Sequence, residues 1–225
     1  MRPKFAIAVD RVFAQVLDLL QRIDKGETVN PETERSRIQS LLNQSENELG
    51  RGPEWDLSKY ALVAWIDEVL IGATWEGCVW WKEHALEWEH FQSNNRATRF
   101  FENAKRAASA EMKRRDALEV FYIAVVLGFG GIYVHGEPGE ADVWARRYDL
   151  PPTIEQWLRI TSKSITLGLD RPPLDVTPAN PGYDAAPREG EAMLVTWSLV
   201  GIILAAVTIA LGVINYGRFF QFLNM

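Results

Sequence analysis

The sequence predicts an all-α protein that ends in one membrane-spanning helix. Apolar residues recur at intervals of three and four in several long segments, as they do on the buried face of a helix. No segment shows the strict alternation of apolar and polar residues that is typical of a half-buried strand. The segment from Ala192 to Gly217 contains no charged residue, and a helix of about 20 apolar residues spans the core of a bilayer.

Roughly seven helices are predicted before the apolar tail. They cover about residues 4–25, 31–49, 55–71, 95–113, 118–127, 139–148 and 154–167. Asn30 and Thr153 are predicted to cap the second and the last of them, and Asp116 with Glu119 forms a D-x-x-E start signal for the fifth. The tryptophan-rich stretch between the third and fourth helices predicts short helices or turns.

Two acidic residues lie within the predicted third helix, which is otherwise apolar on nearly every face. Asp67 and Glu68 are adjacent in the motif YALVAWIDEVLI (60–71). Buried carboxylates are costly unless they are paired or line a cleft. The sequence leaves three roles open for them: a structural buried pair, a cleft that binds a partner, and acid–base catalysis.

Three other patterns suggest chemistry less strongly. Glu87-x-x-His90, with Glu83 one turn earlier, resembles half of a di-metal carboxylate site, but the second half is absent, so a solvated charged face is predicted. Gly128-x-Gly130 could cradle a phosphate, yet these glycines follow a helix and are predicted to end it. Cys78 is predicted to be a buried thiol among aromatic residues. No cofactor and no metal are expected.

The fifth helix is also strongly apolar. From Val120 to Val134 no residue is charged, but the run is short for a membrane span and contains glycines at 128, 130 and 131. A core helix is therefore predicted here. The basic run from Lys105 to Arg115 is predicted to be a solvated helix end, with contact to anionic lipid as the alternative.

The C-terminal quarter of the chain divides into a tether and an anchor. Residues 1–169 are predicted to form the helical domain, 170–191 a proline-rich tether, 192–217 the membrane helix and 218–225 a short tail. Trp197 and Tyr216 lie near the two ends of the membrane helix, where aromatic rings meet the headgroups. Gly201 and Ala205 are four residues apart and predict helix–helix packing in a homodimer.

Composition restricts the compartment and the partners. The formal net charge of −6 argues against nucleic acid as the main partner. The single cysteine excludes a disulfide within the chain, as expected in a reducing compartment. No signal peptide is visible, so the helical domain is expected in the cytoplasm and the C-terminus in the periplasm.

Two motifs give the chain a resemblance to a known family. The segment 60–71 and the segment LEVFYIAVVLGFGGIY (118–133) resemble the DotU/IcmH family, which includes TssL, the inner-membrane subunit of type VI secretion systems, and a relative in type IVb secretion. The order of the aromatic residues between the motifs and the single C-terminal anchor also match. The resemblance covers nearly the whole chain and leaves the choice between the two machines open.

The resemblance implies a structural subunit and not an enzyme. It implies a cytoplasmic domain of two small helical bundles that form a hook, and assembly with the IcmF-like subunit TssM and, through the complex, the lipoprotein TssJ. It also implies contact with the baseplate subunits TssK and TssE, and places Asp67 and Glu68 near a cleft between the bundles. The peptidoglycan-binding domain of larger members is not expected in this chain. The alternative is a tail-anchored enzyme or adaptor that uses the Asp67/Glu68 cleft.

Overall fold

The structure, a computed structural model, describes residues 1–109, 114–134 and 140–167, and all regular structure in these ranges is helical. This confirms the all-α prediction. The α-helices are α1 (Pro3–Asp24), α2 (Pro31–Leu49), α3 (Pro53–Gly72), α4 (Cys78–Glu83), α5 (Leu86–Phe91), α6 (Arg96–Ala108), α7 (Arg115–Val126), α8 (Glu140–Arg147) and α9 (Ile154–Thr166), with a 3-10 helix at Gly131–Tyr133. The seven predicted helices are all present, and the tryptophan-rich stretch forms α4 and α5. The predicted tether and membrane helix lie outside the described residues.

The central element is α3, which packs against α1, α2, α4, α5, α6 and α7. Its side chains are buried on nearly every face, as the continuous apolar run predicts. The helices around it fall into two groups that share it. One group contains α1 and α2, and the other contains α6, α7 and α9. The acidic pair, Asp67 and Glu68, lies in the C-terminal part of this shared helix.

Two carboxylates of α2 pair with cations of neighbouring elements. Glu34 of α2 is 3% exposed and pairs with Arg22 of α1 at 3.1 Å. Glu46 of α2 accepts hydrogen bonds from Lys59 of α3 at 2.8 Å and from Arg51 at 2.7 Å. These two cations lower the pKa of Glu46 to about 2. The polar stripe of α2 thus contributes to packing through charge pairs as well as through its apolar residues.

Aromatic rings fill the core of the second group. The rings of Phe100 and Phe129 stack with centroids 3.8 Å apart, and Phe121 meets Phe100 edge-on at 4.8 Å. Trp157 of α9 meets Phe101 edge-on at 5.3 Å. Such offset and edge-to-face pairs add stability beyond the area that they bury. They explain why the Phe100–Phe101 pair of α6 lies inward, as its helical spacing predicts.

The predicted helix caps have mixed outcomes. The Asn30 side chain accepts a hydrogen bond from the Thr33 backbone N–H at 3.0 Å, and Thr153 accepts one from Gln156 at 3.3 Å, so both caps are confirmed. The predicted start signal of the fifth helix is wrong. Asp116 lies inside the first turn of α7, and its carboxylate accepts hydrogen bonds from the Arg2 backbone and side chain instead. A long-range partner outcompetes the local cap at this position.

The predicted fourth helix extends too far. Helix α6 ends at Ala108, where Ser109 adopts an extended conformation, whereas the prediction continues to about residue 113. Ala108 is exposed, and Ala107 is the buried alanine at this end of the helix. The interior stripe of α6 therefore continues from Ala104 to Ala107.

The apolar segment around α7 belongs to the domain core. In the described part of the chain, one stretch of 19 residues, Arg115–Tyr133, is apolar enough by length and composition to cross a membrane, with a mean hydropathy of 1.5 in its apolar window. Yet 61% of its apolar window is buried inside the domain. Its side chains pack on α3, α6 and α9. This burial supports the prediction of a core helix.

Candidate functional site

Asp67 is a buried carboxylate that binds the start of α5. Its side chain is 0% exposed. Oδ1 accepts hydrogen bonds from the Leu86 backbone N–H at 2.9 Å and from Trp81 Nε1 at 3.0 Å, and Oδ2 accepts one from the Glu87 backbone N–H at 2.7 Å. The residue that precedes α5 is Ala85, which has no side chain able to cap a helix. Asp67 therefore caps α5 from another helix.

The protonation of Asp67 is subject to opposing effects. Burial raises the pKa of the Asp67 carboxyl, because a buried site disfavours the charged form. The three N–H donors act in the opposite direction, because each of them stabilises the carboxylate. A residue that must accept three hydrogen bonds to hold α4 and α5 in place has a structural role in this fold.

Glu68 binds a different segment, the glycine-rich loop after α7. Its Oε1 accepts hydrogen bonds from the backbone N–H groups of Gly130 at 2.7 Å and Gly131 at 2.9 Å. Successive backbone N–H groups in a tight turn form a concave site for an anion. Here the carboxylate of Glu68 occupies that site. The loop thus has the anion-binding geometry of a phosphate cradle, but its anion comes from α3.

The loop depends on glycine at two positions. Helix α7 ends at Val126, and Gly128 follows with a φ of 105°. Gly131 has a φ of 50°, and a β-carbon there would lie 2.8 Å from the carbonyl oxygen of Ala97. Only a residue without a side chain fits this close approach to α6. The glycines therefore end the helix, as predicted, and also bring the loop amides to Glu68.

Glu87 is not part of a solvated charged face, so that prediction is wrong for this residue. It is 0% exposed and accepts a hydrogen bond from the Tyr60 hydroxyl at 2.8 Å. Arg96 lies 3.9 Å from its other oxygen. Burial and the Glu87 carboxylate raise the pKa of the Tyr60 hydroxyl. Glu83 is exposed, and His90 is half-buried with a pKa that burial lowers.

The remaining candidates are the metal-ligand pattern, Cys78 and the basic run. No group of three or more His, Cys, Asp or Glu side chains in the described ranges is arranged to hold a metal ion. Cys78 is half-buried at the first turn of α4, rather than fully buried as predicted. In the basic run, Lys105 pairs with Asp149 at 2.6 Å, and residues 110–113 lie outside the described ranges.

The two carboxylates of the acidic pair contact different segments of the chain. The carboxylate of Asp67 accepts hydrogen bonds from Trp81 and the start of α5, whereas that of Glu68 accepts them from the loop after α7. The sequence identified both residues because each is a charge inside an apolar helix. It did not identify Trp81, Glu87 or the loop glycines as their environment. The density of tryptophan and glycine in those segments was the available signal.

The fold and its central carboxylates define a helical domain in which two acidic side chains position neighbouring segments. A family model described as the type VI secretion system protein DotU matches residues 7–217. The chain therefore belongs to the DotU family of type VI secretion proteins, as its motifs predicted. The sequence motifs left the choice between type VI and type IVb secretion open, and the description of this family favours type VI.

A solved structure shows the same fold. The cytoplasmic domain of TssL from Acinetobacter baumannii superposes with a TM-score of 0.54 and 22% sequence identity. The match covers 70% of this chain and 96% of that domain. At this level of identity the likeness concerns the fold alone. No protein with a curated description matches the chain.

Proposed function

We propose that the chain is a structural subunit of the type VI secretion membrane complex, anchored in the inner membrane by residues 192–217. The observation that supports this most strongly is the extent of the family match. It runs from the first helix through the apolar segment to residue 217, so the helical domain and the apolar segment belong to one family unit. An anchor restricts the domain to the membrane surface and raises its effective concentration for other anchored subunits.

The proposed partners are those of the family. We propose that the domain docks the IcmF-like subunit TssM and the baseplate subunits TssK and TssE, and meets the lipoprotein TssJ through the complex. Gly201 and Ala205 are the proposed contact of a homodimer in the lipid bilayer, and Trp197 and Tyr216 the proposed headgroup anchors. The proposed orientation places the domain in the cytoplasm and the C-terminus in the periplasm.

We propose that Asp67 and Glu68 influence partner binding by holding two exposed segments. Asp67 fixes α4 and α5, where Val79 is 66% and Trp88 is 53% exposed. Glu68 fixes the loop between Val126 and Val134, which are 57% and 68% exposed. Exposed apolar side chains near a fixed backbone suit protein docking.

The same contacts weigh against the alternative of an enzyme or adaptor that uses the Asp67/Glu68 cleft. Acid–base catalysis needs a carboxylate that can exchange protons with a substrate. Both side chains instead accept hydrogen bonds from backbone amides, and Asp67 is fully buried. A structural role accounts for every contact described for the pair.

Replacing Glu68 with alanine is expected to reduce the recovery of TssK, TssE and TssM about tenfold in co-purification from membranes, because the loop after α7 loses its acceptor. The measurement is quantitative immunoblotting of each subunit with the full-length chain as bait. Glu68→Gln keeps one oxygen acceptor and is expected to retain more binding. Glu102→Ala, which removes an exposed carboxylate of α6, is the matched control. Unchanged recovery with Glu68→Ala would contradict the proposed role.

A cysteine at position 222 tests the orientation. In a Cys78→Ser background, Phe222→Cys is expected to react with a membrane-impermeant maleimide added to cells whose outer membrane has been permeabilised. The background substitution is needed because the half-buried Cys78 could also be labelled. A cysteine in place of the exposed Ser36 is the cytoplasmic control and should react only after lysis. Labelling of position 222 only after lysis would reverse the topology.

A further inference from the structure

A small groove lies between α3, α5 and α6, apart from the acidic pair. Its volume is about 180 Å³. Leu57, Tyr60 and Phe91 contribute apolar surface, and the α6 residues Arg99, Asn103 and Arg106 contribute polar surface. The three α6 residues are spaced by four and then three positions, so they lie on one face of the helix. The groove therefore combines an aromatic surface with a basic wall.

Arg99 is a half-buried cation without a carboxylate partner. Its guanidinium lies 5.1 Å from the centroid of the Tyr60 ring, a cation–π arrangement. Within the described ranges, no carboxylate lies within 4.0 Å of the guanidinium, whereas Arg96, one turn earlier, is 3.9 Å from Glu87. Removing an arginine from water without an opposite charge is costly. The groove thus holds a charge that is only partly compensated.

The groove is held in shape by its neighbours. The Tyr60 hydroxyl donates to the buried Glu87 carboxylate, and this bond fixes the ring that faces Arg99. Phe91 meets the Tyr60 ring edge-on at 4.9 Å. Arg106 Nη1 donates to Asn103 Oδ1 at 3.0 Å, and Arg106 also has no carboxylate within 4.0 Å among the described residues. Both guanidiniums are therefore positioned before any partner binds.

We propose that this groove binds an acidic segment of a partner protein. A carboxylate of the segment pairs with Arg99, a second one pairs with Arg106 two turns along α6, and an apolar side chain between them packs on Tyr60 and Phe91. Guanidinium and carboxylate form short, paired hydrogen bonds. Since the chain as a whole carries a net charge of −6, a locally basic groove distinguishes this surface from the rest.

The chemistry of the groove favours a peptide over a lipid headgroup. Asp56 also lines the groove, and its negative charge opposes a phosphate, which concentrates its charge on one group, more than a segment that spreads two carboxylates along two turns of α6. The guanidinium of Arg99 is half-buried beside aromatic rings, where a side chain of a protruding segment can reach it. The inference rests on the proposed docking function, because it specifies the chemistry of one docking partner.

The test uses the full-length chain in detergent and a fluorescein-labelled synthetic peptide. The peptide carries two glutamates two helical turns apart with leucine and phenylalanine between them, and a matched peptide has glutamine at both positions. The glutamate peptide is expected to bind about tenfold more tightly in fluorescence polarisation. Arg99→Gln and Arg106→Gln are each expected to weaken its binding about tenfold. Arg159→Gln, at an exposed arginine of α9, should leave binding unchanged.

Two results would overturn the proposal. One is equal binding of the glutamate and glutamine peptides, and the other is unchanged binding in the Arg106→Gln variant. Arg106 is exposed, so its substitution should not unfold the chain even if Arg99→Gln does. Binding of phosphatidylserine vesicles that depends on Arg106, without peptide binding, would also overturn it. Recovery of the membrane complex from cells is measured separately, so failure of the peptide assay is distinct from failure of the proposed function.

Discussion

Replacing Asp67 with alanine is expected to lower the free energy of unfolding by about 3–5 kcal/mol. The substitution leaves three buried N–H donors without an acceptor, those of Trp81, Leu86 and Glu87. Each unsatisfied buried donor costs about 1–3 kcal/mol, but local relaxation and water entry recover part of the sum. The measurement is denaturant unfolding of the full-length chain in detergent, followed by tryptophan fluorescence and circular dichroism.

Two further variants separate the cause of this loss. Asp67→Asn preserves the shape but replaces one acceptor oxygen with a donor that faces other donors, so an intermediate loss is expected. Asp56→Ala removes an exposed carboxylate from the same helix and is expected to change stability by less than about 0.5 kcal/mol. A loss below about 1 kcal/mol for Asp67→Ala would show that these bonds do not hold α4 and α5.

Replacing Gly131 with alanine is expected to cost about 3–5 kcal/mol, the sum of backbone strain and overpacking. The residue has a φ of 50°, which disfavours a β-carbon. The added carbon would lie 2.8 Å from the Ala97 carbonyl oxygen and 2.9 Å from the rings of Phe101 and Phe129. Relief of this clash must move the loop and weaken its hydrogen bond to Glu68. Thermal unfolding of the full-length chain measures the effect.

Gly128→Ala provides the matched control for backbone strain. Gly128 also has a positive φ, 105°, but a β-carbon there meets no atom within 4 Å. Its substitution is therefore expected to cost only the strain, about 1–3 kcal/mol. Equal losses at the two positions would show that close packing against α6 does not contribute to the requirement for glycine at 131.

Local patterns predicted the helices well because their determinants are close in sequence. The apolar spacing of α1 and the caps at Asn30 and Thr153 depend on residues within one or two turns. The start signal at Asp116 failed because its carboxylate binds Arg2, which is 114 positions away. A sequence pattern of four residues contains no information about such a competitor.

Part of the candidate site was also predictable, because the signal for Asp67 and Glu68 is local in the sequence. Two charges inside an apolar helix indicate buried partners, whichever residues supply them. The partners themselves, Trp81 and Gly130, lie 14 and 62 positions from the carboxylates that they bind. The prediction for Glu87 is wrong because the missing second half of a metal site indicates a solvated face, whereas the fold brings Tyr60 to its carboxylate.

The adjacency of Asp67 and Glu68 has a mechanical consequence. One peptide unit of α3 carries both attachments, so a push or pull on α4 and α5 is transmitted to the loop after α7 over the shortest covalent distance that a chain allows. A force on either segment is therefore shared with the other through α3, which is buried on nearly every face.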